Sequence, residues 1–295
     1  MLCQFTVKNF KSIRDEMTFD MQAAAISEHE DKVIMDKNGE QFLPVSAIYG
    51  PNGGKSNVLE ALHTVAAKVL RPLYATGDNE ERVFLQKKLL IEPFAFSEEM
   101  KNEPTEFEVF FRTELAEYRY ILHVKREIVV YECLDRVKLE TGRRSALFER
   151  NAEETILKGV FAKLKISDEL SETLPLLSYL GITYKKNEVV KDVLEWFEYG
   201  IDFLNYGNPI EELRMAVSNS EDVKQLMLDM IQEMDLDIVD FRVVKDENDR
   251  IDVYTKHMVE GYEAELNLFD ESSGTKKLFG LMPFIADSLL SGATL

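Results

Sequence analysis

The residues best suited to chemistry form a glycine-rich run in the first quarter of the chain. The run consists of Gly50, Pro51, Asn52, Gly53, Gly54, Lys55 and Ser56, and Asn57 follows it. Glycines let backbone N–H groups close around a phosphate, a lysine reaches the β- and γ-phosphates, and a serine hydroxyl binds Mg²⁺, all at a helix N-terminus. Residues 50–56, the P-loop run, therefore predict a phosphate site with Lys55 on phosphate and Ser56 on the metal.

The P-loop run departs from the usual pattern in its length. That pattern is G-x₄-G-K-[ST], whereas Gly50 and Gly54 enclose only three residues. A shorter loop donates fewer N–H groups, and its radius need not fit a β-phosphate. Three interpretations stay open: a chance glycine-rich turn before a helix, a P-loop weakened by deletion, or a sequence that lacks one residue.

A second run, near the end of the sequence, has similar chemistry. Ser272, Ser273 and Gly274 follow Glu271 and open the last predicted helix. Serine and glycine at a helix N-terminus can form an anion site. The alternative is structural, because serine is also an ordinary N-cap residue. We call residues 272–274 the signature run.

The elements around the P-loop run fit a phosphate site. Residues 45–50 (VSAIYG) are short, apolar and β-branched, which predicts a buried parallel strand before the loop. Residues 58–70 carry apolar side chains at helical spacing, which predicts a helix after it. Residues 2–10 alternate between apolar and polar, so we expect a strand with Phe5 and Val7 facing a core.

The rest of the chain changes character several times. Three strand-like runs within 106–134 predict an antiparallel meander. Residues 152–235 are predicted to be mostly helical, with helices at about 164–180, 189–203 and 220–234. Strands return at 238–244 and 250–258. The last segment predicts a strand, a polar turn and a helix over about residues 275–290.

Composition limits the class of protein. The chain has 295 residues, with 35 Lys+Arg against 54 Asp+Glu and a formal net charge of −19. Its 45% of hydrophobic residues is typical of a globular protein. The acidic balance argues against a chain that coats nucleic acid everywhere, but it allows one basic patch.

Other sequence features concern location. No uncharged run approaches the roughly 20 residues of a membrane-spanning helix, and the first residues lack the apolar core of a signal peptide. Two cysteines cannot build a disulfide framework, and the four histidines are scattered along the chain. We therefore expect a cytoplasmic protein with no membrane contact.

The P-loop and signature runs together resemble the ABC-type ATPase heads of the SMC and double-strand-break-repair class. The resemblance is closer to the bacterial AAA-type ATPases related to the OLD nucleases and the RloC anticodon nuclease. The similar stretches are VKNFKSIRDEMTFDM, SAIYGPNGGKSNVLEAL, PFAFSEEMKNEPTEFEVFF, YRYILHV, EIVVYECL, DLDIVDFRV and DESSGTKKLFGLMPFIADSL. Their order covers nearly the whole chain, and the P-loop and signature runs are the specific parts.

The resemblance implies an α/β fold, namely a P-loop NTPase head of the ABC type with an antiparallel β meander and a helical insert. Residues 1–295 would form one incomplete head. Its parts would be 1–72 for the start of the P-loop lobe, 73–150 for the antiparallel β subregion, 151–235 for the helical insert, and 236–295 for the return strands and signature helix.

The resemblance also implies a head-to-head homodimer with two ATP molecules between the subunits. The P-loop run of one subunit would hold the phosphates and Mg²⁺, and the signature run of the other would reach the γ-phosphate. Asn9, Lys11 and Ser12 would lie near the nucleotide. For Lys11, a solvated turn lysine is the alternative.

One part of the family pattern has no counterpart in the sequence. In this family a strand ending in Asp-Glu follows the signature helix, and its carboxylates fill the Walker B role of supporting Mg²⁺ and positioning the attacking water. The sequence reaches Leu295 without such a pair, and neither Asp240 nor Glu132 with Asp135 substitutes for it. We therefore expect the front part of an ATPase head, with a sheet that exposes an edge.

Two hypotheses about function follow. The first is an ATP-binding and ATP-hydrolysing head that forms an ATP-gated dimer and acts in phage defence or nucleic-acid surveillance, beside an effector nuclease. The second is a non-hydrolysing regulatory or interaction module that needs a partner chain. A chromosome-type DNA-tethering ATPase is disfavoured because no heptad run is long enough for a coiled-coil arm.

Overall fold

The computed structural model describes most of the chain as two compact units. The units are Met1–Ile201 and Asp202–Leu295, and each is treated by itself below. The described residues are 1–26, 28–36, 38–50, 54–75, 89–204, 221–234, 237–245 and 251–295. The predicted division of one head into four parts stays a prediction.

The first unit is built on a seven-stranded antiparallel sheet with the order β2-β1-β5-β6-β7-β8-β9, beside a small β3–β4 ladder. The strands are β1 (Leu2–Lys8), β2 (Met17–Asp20), β3 (Ile34–Met35), β4 (Gln41–Phe42), β5 (Thr105–Arg112), β6 (Ala116–Lys125), β7 (Ile128–Lys138), β8 (Arg144–Asn151) and β9 (Thr155–Leu157). The predicted meander is confirmed as β5–β7. The sheet also contains β8 and β9, which the sequence did not predict.

The N-terminal strand joins the meander across a long stretch of chain. Strand β1 pairs with β5 in a register that places Phe5 opposite Val109 and Val7 opposite Phe107. Phe5 and Val7 are fully buried, as the alternating pattern predicted. The turn after β1 is therefore held next to the start of β5.

The described residues of the first unit form three helices: α1 (Lys55–Tyr74), α2 (Leu176–Thr183) and α3 (Glu188–Tyr199). The predicted helix after the P-loop run is confirmed as α1, although Leu59, expected in its core face, is 54% exposed. The Trp196 ring of α3 stacks on Phe111 of β5 at 3.9 Å between centroids, so α3 packs on the sheet. Ser178 of α2 donates to the Val69 carbonyl of α1 at 2.6 Å.

The predicted helix around residues 164–180 is shorter than expected. Helix α2 begins only after Pro175, its N-cap residue. Proline disfavours the helical conformation of the residue before it, Leu174, and so stops the helix from extending backwards. The apolar periodicity was correct only for the part of the run beyond this proline.

The prediction of a buried parallel strand over residues 45–50 is wrong. This segment is not a strand, and Val45 and Tyr49 are 78% and 91% exposed. An apolar, β-branched run becomes a strand only where a neighbouring strand supplies a ladder of hydrogen bonds. Among the described residues no strand pairs with it, and the seven-stranded sheet of the first unit is antiparallel throughout.

In the described part of the second unit, two helices pack on a three-stranded antiparallel sheet. Helices α4 (Glu221–Glu233) and α5 (Ser273–Ser291) accompany β10 (Ile238–Lys245), β11 (Ile251–Val259) and β12 (Tyr262–Asn267). The predicted return strands and final helix are confirmed. The core consists of Val223, Met227, Ile231, Ile238, Phe241, Val253, Leu268, Phe279, Met282 and Ala286.

Among these five helices, none is both long and apolar enough to cross a membrane.

Candidate phosphate-binding site

The start of α1 carries the chemistry that the P-loop run predicts. Gly54 is its N-cap, with φ of 72° in the left-handed region that glycine tolerates best. The Asn57 N–H donates to the Gly54 carbonyl at 2.9 Å. Because glycine has no side chain with which to cap the helix, the N–H groups of Lys55 and Ser56 keep their capacity for an external acceptor. The positive end of the helix dipole adds to the attraction for an anion.

Lys55 is the first residue of α1. Its ammonium group donates to the carbonyl oxygen of Gly50, at the opposite end of the P-loop run. Gly50 has φ of 132°, again a conformation suited to glycine. Ser56 is exposed and follows directly in the first turn. The predicted residues Pro51, Asn52 and Gly53 lie outside the described residues.

Ser12 and Asn57 meet at this helix start. The Asn57 side-chain amide donates to the Ser12 hydroxyl at 2.6 Å. A Cβ atom added to Gly54 would lie 2.3 Å from the Ser12 hydroxyl oxygen, so that hydroxyl lies directly against the N-cap. The structure therefore brings the predicted residues Ser12, Gly54, Lys55 and Asn57 together, although Ser12 is far from the others in sequence.

Asn9 holds the turn that presents Ser12. The residue is fully buried with φ of 57°, and its side-chain amide donates to the carbonyls of Met100 at 2.7 Å and Glu103 at 3.1 Å. Its side-chain oxygen accepts from the Phe94 backbone at 2.9 Å. All of these bonds are internal, so Asn9 shapes the turn and does not face a ligand.

Lys11 is paired with acidic side chains beside α1. Its ammonium group contacts Glu60 of α1 and lies 3.9 Å from the carboxylate of Glu92. Its backbone N–H donates to the Glu92 carbonyl at 2.9 Å. Lys11 is thus a partly exposed turn lysine with acidic partners, one of them on the helix that follows the P-loop run, and its place near a nucleotide stays a prediction.

The signature run opens α5 in the second unit. Ser272 is the N-cap, and its hydroxyl accepts from the Thr275 backbone at 3.1 Å. Ser272, Ser273 and Gly274 are exposed, and a Cβ atom on Gly274 would meet only the Ser272 hydroxyl, at 3.6 Å. The structural alternative is thus confirmed for Ser272, while contact with a second subunit's ATP stays a prediction.

Sequence reasoning set aside Glu132, which proves to be central to the first unit. This residue of β7 is fully buried and accepts from the Tyr120 hydroxyl at 2.9 Å and from the backbone N–H groups of Leu176 and Leu177 at 2.6 and 3.0 Å. Burial raises the pKa of Glu132, and these hydrogen bonds oppose that shift. An acidic residue inside an apolar strand was the available clue.

A second missed contact lies just before the signature run. His257 Nε2 of β11 is 2.6 Å from a carboxylate oxygen of Glu271, which also accepts from the Thr255 hydroxyl. The sequence had shown His257 only as one of four scattered histidines. The pairing depends on the register of β11 against the start of α5, which local sequence does not reveal.

The residues at the start of α1 fit a magnesium-bound nucleoside triphosphate. Backbone N–H groups, the Lys55 ammonium and the Ser56 hydroxyl are donors and ligands of the required kinds. Within the described ranges, no group of three or more His, Cys, Asp or Glu side chains could hold a metal ion. Mg²⁺ commonly binds through one or two protein ligands and the phosphates, so Ser56 suits it here.

Comparison with known proteins identifies the family of the chain. No curated protein matches the chain. The family described as "AAA domain, putative AbiEii toxin, Type IV TA system" matches residues 45–295, which include both the P-loop run and the signature run. The match supports the AAA-like, nucleotide-binding P-loop ATPase part of the resemblance. The chain belongs to this AAA-domain family.

Proposed function

We propose that the chain binds MgATP at the start of α1 and works as an ATPase head. The observation that carries the proposal is the contact of Ser12 with both Gly54 and Asn57, which brings the turn after β1 to an uncapped helix start. A chance glycine-rich turn would not require a second segment of the chain at this place. Family membership supports the same conclusion.

Each residue of the site has a distinct role in the proposal. Lys55 leaves the Gly50 carbonyl for the phosphates, since an ion pair with phosphate is stronger than a bond to a neutral carbonyl. Ser56 supplies one oxygen to Mg²⁺, which neutralises phosphate charge. Ser12 and Lys11 line the side of the site, and the N–H groups of Lys55 and Ser56 at the start of α1 donate to a phosphate oxygen.

Fluorescent-ATP titration in the presence of Mg²⁺ tests this site. We expect Lys55→Ala to weaken binding at least about tenfold, because it removes a charge-assisted contact. Lys101→Ala is the matched control, since Lys101 is a partly exposed lysine that pairs with Glu98. Ser56→Ala should remove most of the Mg²⁺ dependence of binding. Equal affinity of the Lys55 and Lys101 variants would refute the site.

We propose further that ATP joins two copies of the chain head to head. The signature run supports this, because Ser272, Ser273 and Gly274 form an exposed helix start to which a second phosphate group has access. Light scattering after size-exclusion chromatography, with and without a slowly hydrolysed ATP analogue, tests it. A mass that stays monomeric at saturating analogue would contradict the dimer.

We propose phage defence as the biological role. The description of the matching family, which includes a putative AbiEii toxin and a type IV TA system, supports this role. An effector nuclease and nucleic acid are the expected partners, in the cytoplasm. Survival of bacteria challenged with phage, with the wild-type chain or Lys55→Ala, tests the role. Equal survival of both strains would count against it.

A non-hydrolysing module that needs a partner chain is the second candidate. The observation in its favour is the exposed apolar segment at residues 45–50, where Val45 and Tyr49 lie in solvent. A partner strand would cover this segment. Phosphate-release assays separate the candidates: MgATP binding without turnover favours the module, and turnover that depends on Lys55 favours the ATPase.

A further inference from the structure

A buried polar cluster connects β11 to the residue just before the signature run. A Glu271 carboxylate oxygen lies 2.6 Å from His257 Nε2 and accepts from the Thr255 hydroxyl. Thr255 is fully buried, and the Glu271 and His257 side chains are 8% and 19% exposed. The hydrogen bond between His257 Nε2 and the carboxylate group of Glu271 joins the two side chains directly.

Glu271 immediately precedes the N-cap residue of α5 in the chain. Ser272 follows it as N-cap, and the Lys276 ammonium group of the first turn donates to the Phe269 carbonyl at 2.8 Å. The side chain of Glu271 points back to β11, whereas residues 272–274 are exposed. The cluster therefore ties the exposed start of α5 to the sheet at one point.

The rest of α5 is held by other contacts. Phe279, Met282 and Ala286 are fully buried in the core of the second unit, and Phe279 packs edge-to-face on Phe241 at 5.4 Å. We expect removal of the His257 imidazole to leave this core intact, because His257 is not one of its members. Its expected effect is local, on the first turn of α5, because local stability varies along a helix.

We propose that His257 is a positioning residue for the signature run: by holding Glu271 against β11, it sets the direction in which Ser273 and Gly274 meet the ATP bound by a second copy of the chain. The inference rests on the proposed ATP-joined dimer. In this role His257 touches neither the nucleotide nor the reacting atoms. Its effect passes through Glu271 and the N-cap.

The test compares three variants of the full chain for MgATP affinity and for dimer formation with a slowly hydrolysed ATP analogue. His257→Ala should weaken the dimer about tenfold, the effect of one hydrogen bond to a charged group, and leave MgATP affinity unchanged. His257→Gln should restore the dimer, because its amide can donate to Glu271. Lys256→Ala is the control, since it removes a neighbouring ion pair with Glu263 on the same strand.

Hydrogen exchange of residues 271–277 provides a readout that does not depend on the dimer. We expect faster exchange there in His257→Ala and wild-type exchange in His257→Gln and Lys256→Ala. A His257→Ala dimer as strong as the wild type overturns the inference, as does loss of MgATP affinity or of thermal stability in both His257 variants. If the wild type itself forms no dimer, the proposed function fails. Unchanged exchange at 271–277 in His257→Ala then overturns the positioning role separately.

Discussion

The Asn57 side-chain amide donates a 2.6 Å hydrogen bond to the Ser12 hydroxyl, and this bond joins the first turn of α1 to the turn after β1. The two residues are 45 positions apart in sequence. Asn9, buried in the same turn, fixes the backbone that carries Ser12. The N-terminal strand of the sheet thus helps to form the proposed nucleotide site.

We expect Asn57→Ala to weaken MgATP binding up to about tenfold, the effect of one lost hydrogen bond. The loss arises because Ser12 is then free to move away from Gly54. Ser12→Ala should have a similar effect, and the double variant should be no worse than either single one, because both remove the same bond. Fluorescent-ATP titration measures all three.

Asn102→Ala is the control for these variants, since Asn102 is an exposed asparagine whose amide donates to the Glu98 carbonyl at 3.0 Å. It should bind MgATP like the wild type. Fully additive losses in Asn57→Ala and Ser12→Ala would show that the two side chains act independently.

Gly54→Ala should reduce the free energy of unfolding by about 2–3 kcal/mol, through strain at positive φ and through contact with Ser12. The added Cβ would lie 2.3 Å from the Ser12 hydroxyl oxygen. Gly39→Ala separates the two causes, because Gly39 has φ of 81° and no atom within 4 Å of its added Cβ. That control should lose only about 1–2 kcal/mol.

Urea denaturation of both glycine variants checks this difference. Ser12→Gly in the Gly54→Ala background should recover the part of the unfolding free energy that was lost through contact with Ser12. The part lost through strain at positive φ should remain. Equal losses of unfolding free energy in Gly54→Ala and Gly39→Ala would mean that Ser12 does not clash with the added methyl group at the helix start.

Glu132→Gln should become more stable relative to the wild type as the pH rises from 4 to 7. Burial raises the pKa of Glu132 in the folded state. The stabilisation that comes from its protonated form is therefore fully present below the ordinary carboxyl pKa, and it is lost as the pH rises through the folded-state pKa. Glutamine has no proton to lose. Urea denaturation of both proteins across this pH range measures the difference.

Tyr120→Phe is the companion variant, since it removes the hydroxyl that donates to Glu132 and leaves the carboxyl in place. It should be less stable than the wild type by about 1–3 kcal/mol and should keep the pH dependence. A pH-independent difference between wild type and Glu132→Gln would show that Glu132 titrates as an ordinary carboxyl.

Both cysteines should resist thiol reagents in the folded protein. Cys3 and Cys133 are buried, and burial raises their thiol pKa values to about 12 and about 11. The reactive thiolate is therefore scarce at pH 8. Reaction with a disulfide reagent should be slow in buffer and fast for both thiols in urea.

The same shifts make the fold sensitive to alkali. Both thiol pKa values are raised in the folded state. The contribution of the two protonated thiols to stability is therefore present below about pH 9 and falls as the pH rises further. Rapid labelling of either thiol at pH 8 without denaturant would contradict the burial.

The sequence predicted the elements whose patterns are local. Alternation identified β1 and the meander β5–β7, helical spacing identified α1, and the final strand–turn–helix was predicted as β12 and α5. Apart from β12, which is mostly exposed, each of these elements has one buried face, so the period of its apolar residues reflects the structure. Segment 45–50 has the same apolar composition but no strand partner among the described residues, and composition could not reveal that.

The sequence by itself determined the chemistry of the candidate site: the glycines, Lys55 and Ser56 at a helix start, and serines at a second one. Only the tertiary structure decided which distant residues join them. Ser12 reaches Asn57, Glu132 holds α2, and His257 holds Glu271. These contacts depend on strand register and on how helices pack on sheets. Both are set by the burial of the whole core, so no local pattern in the sequence records them.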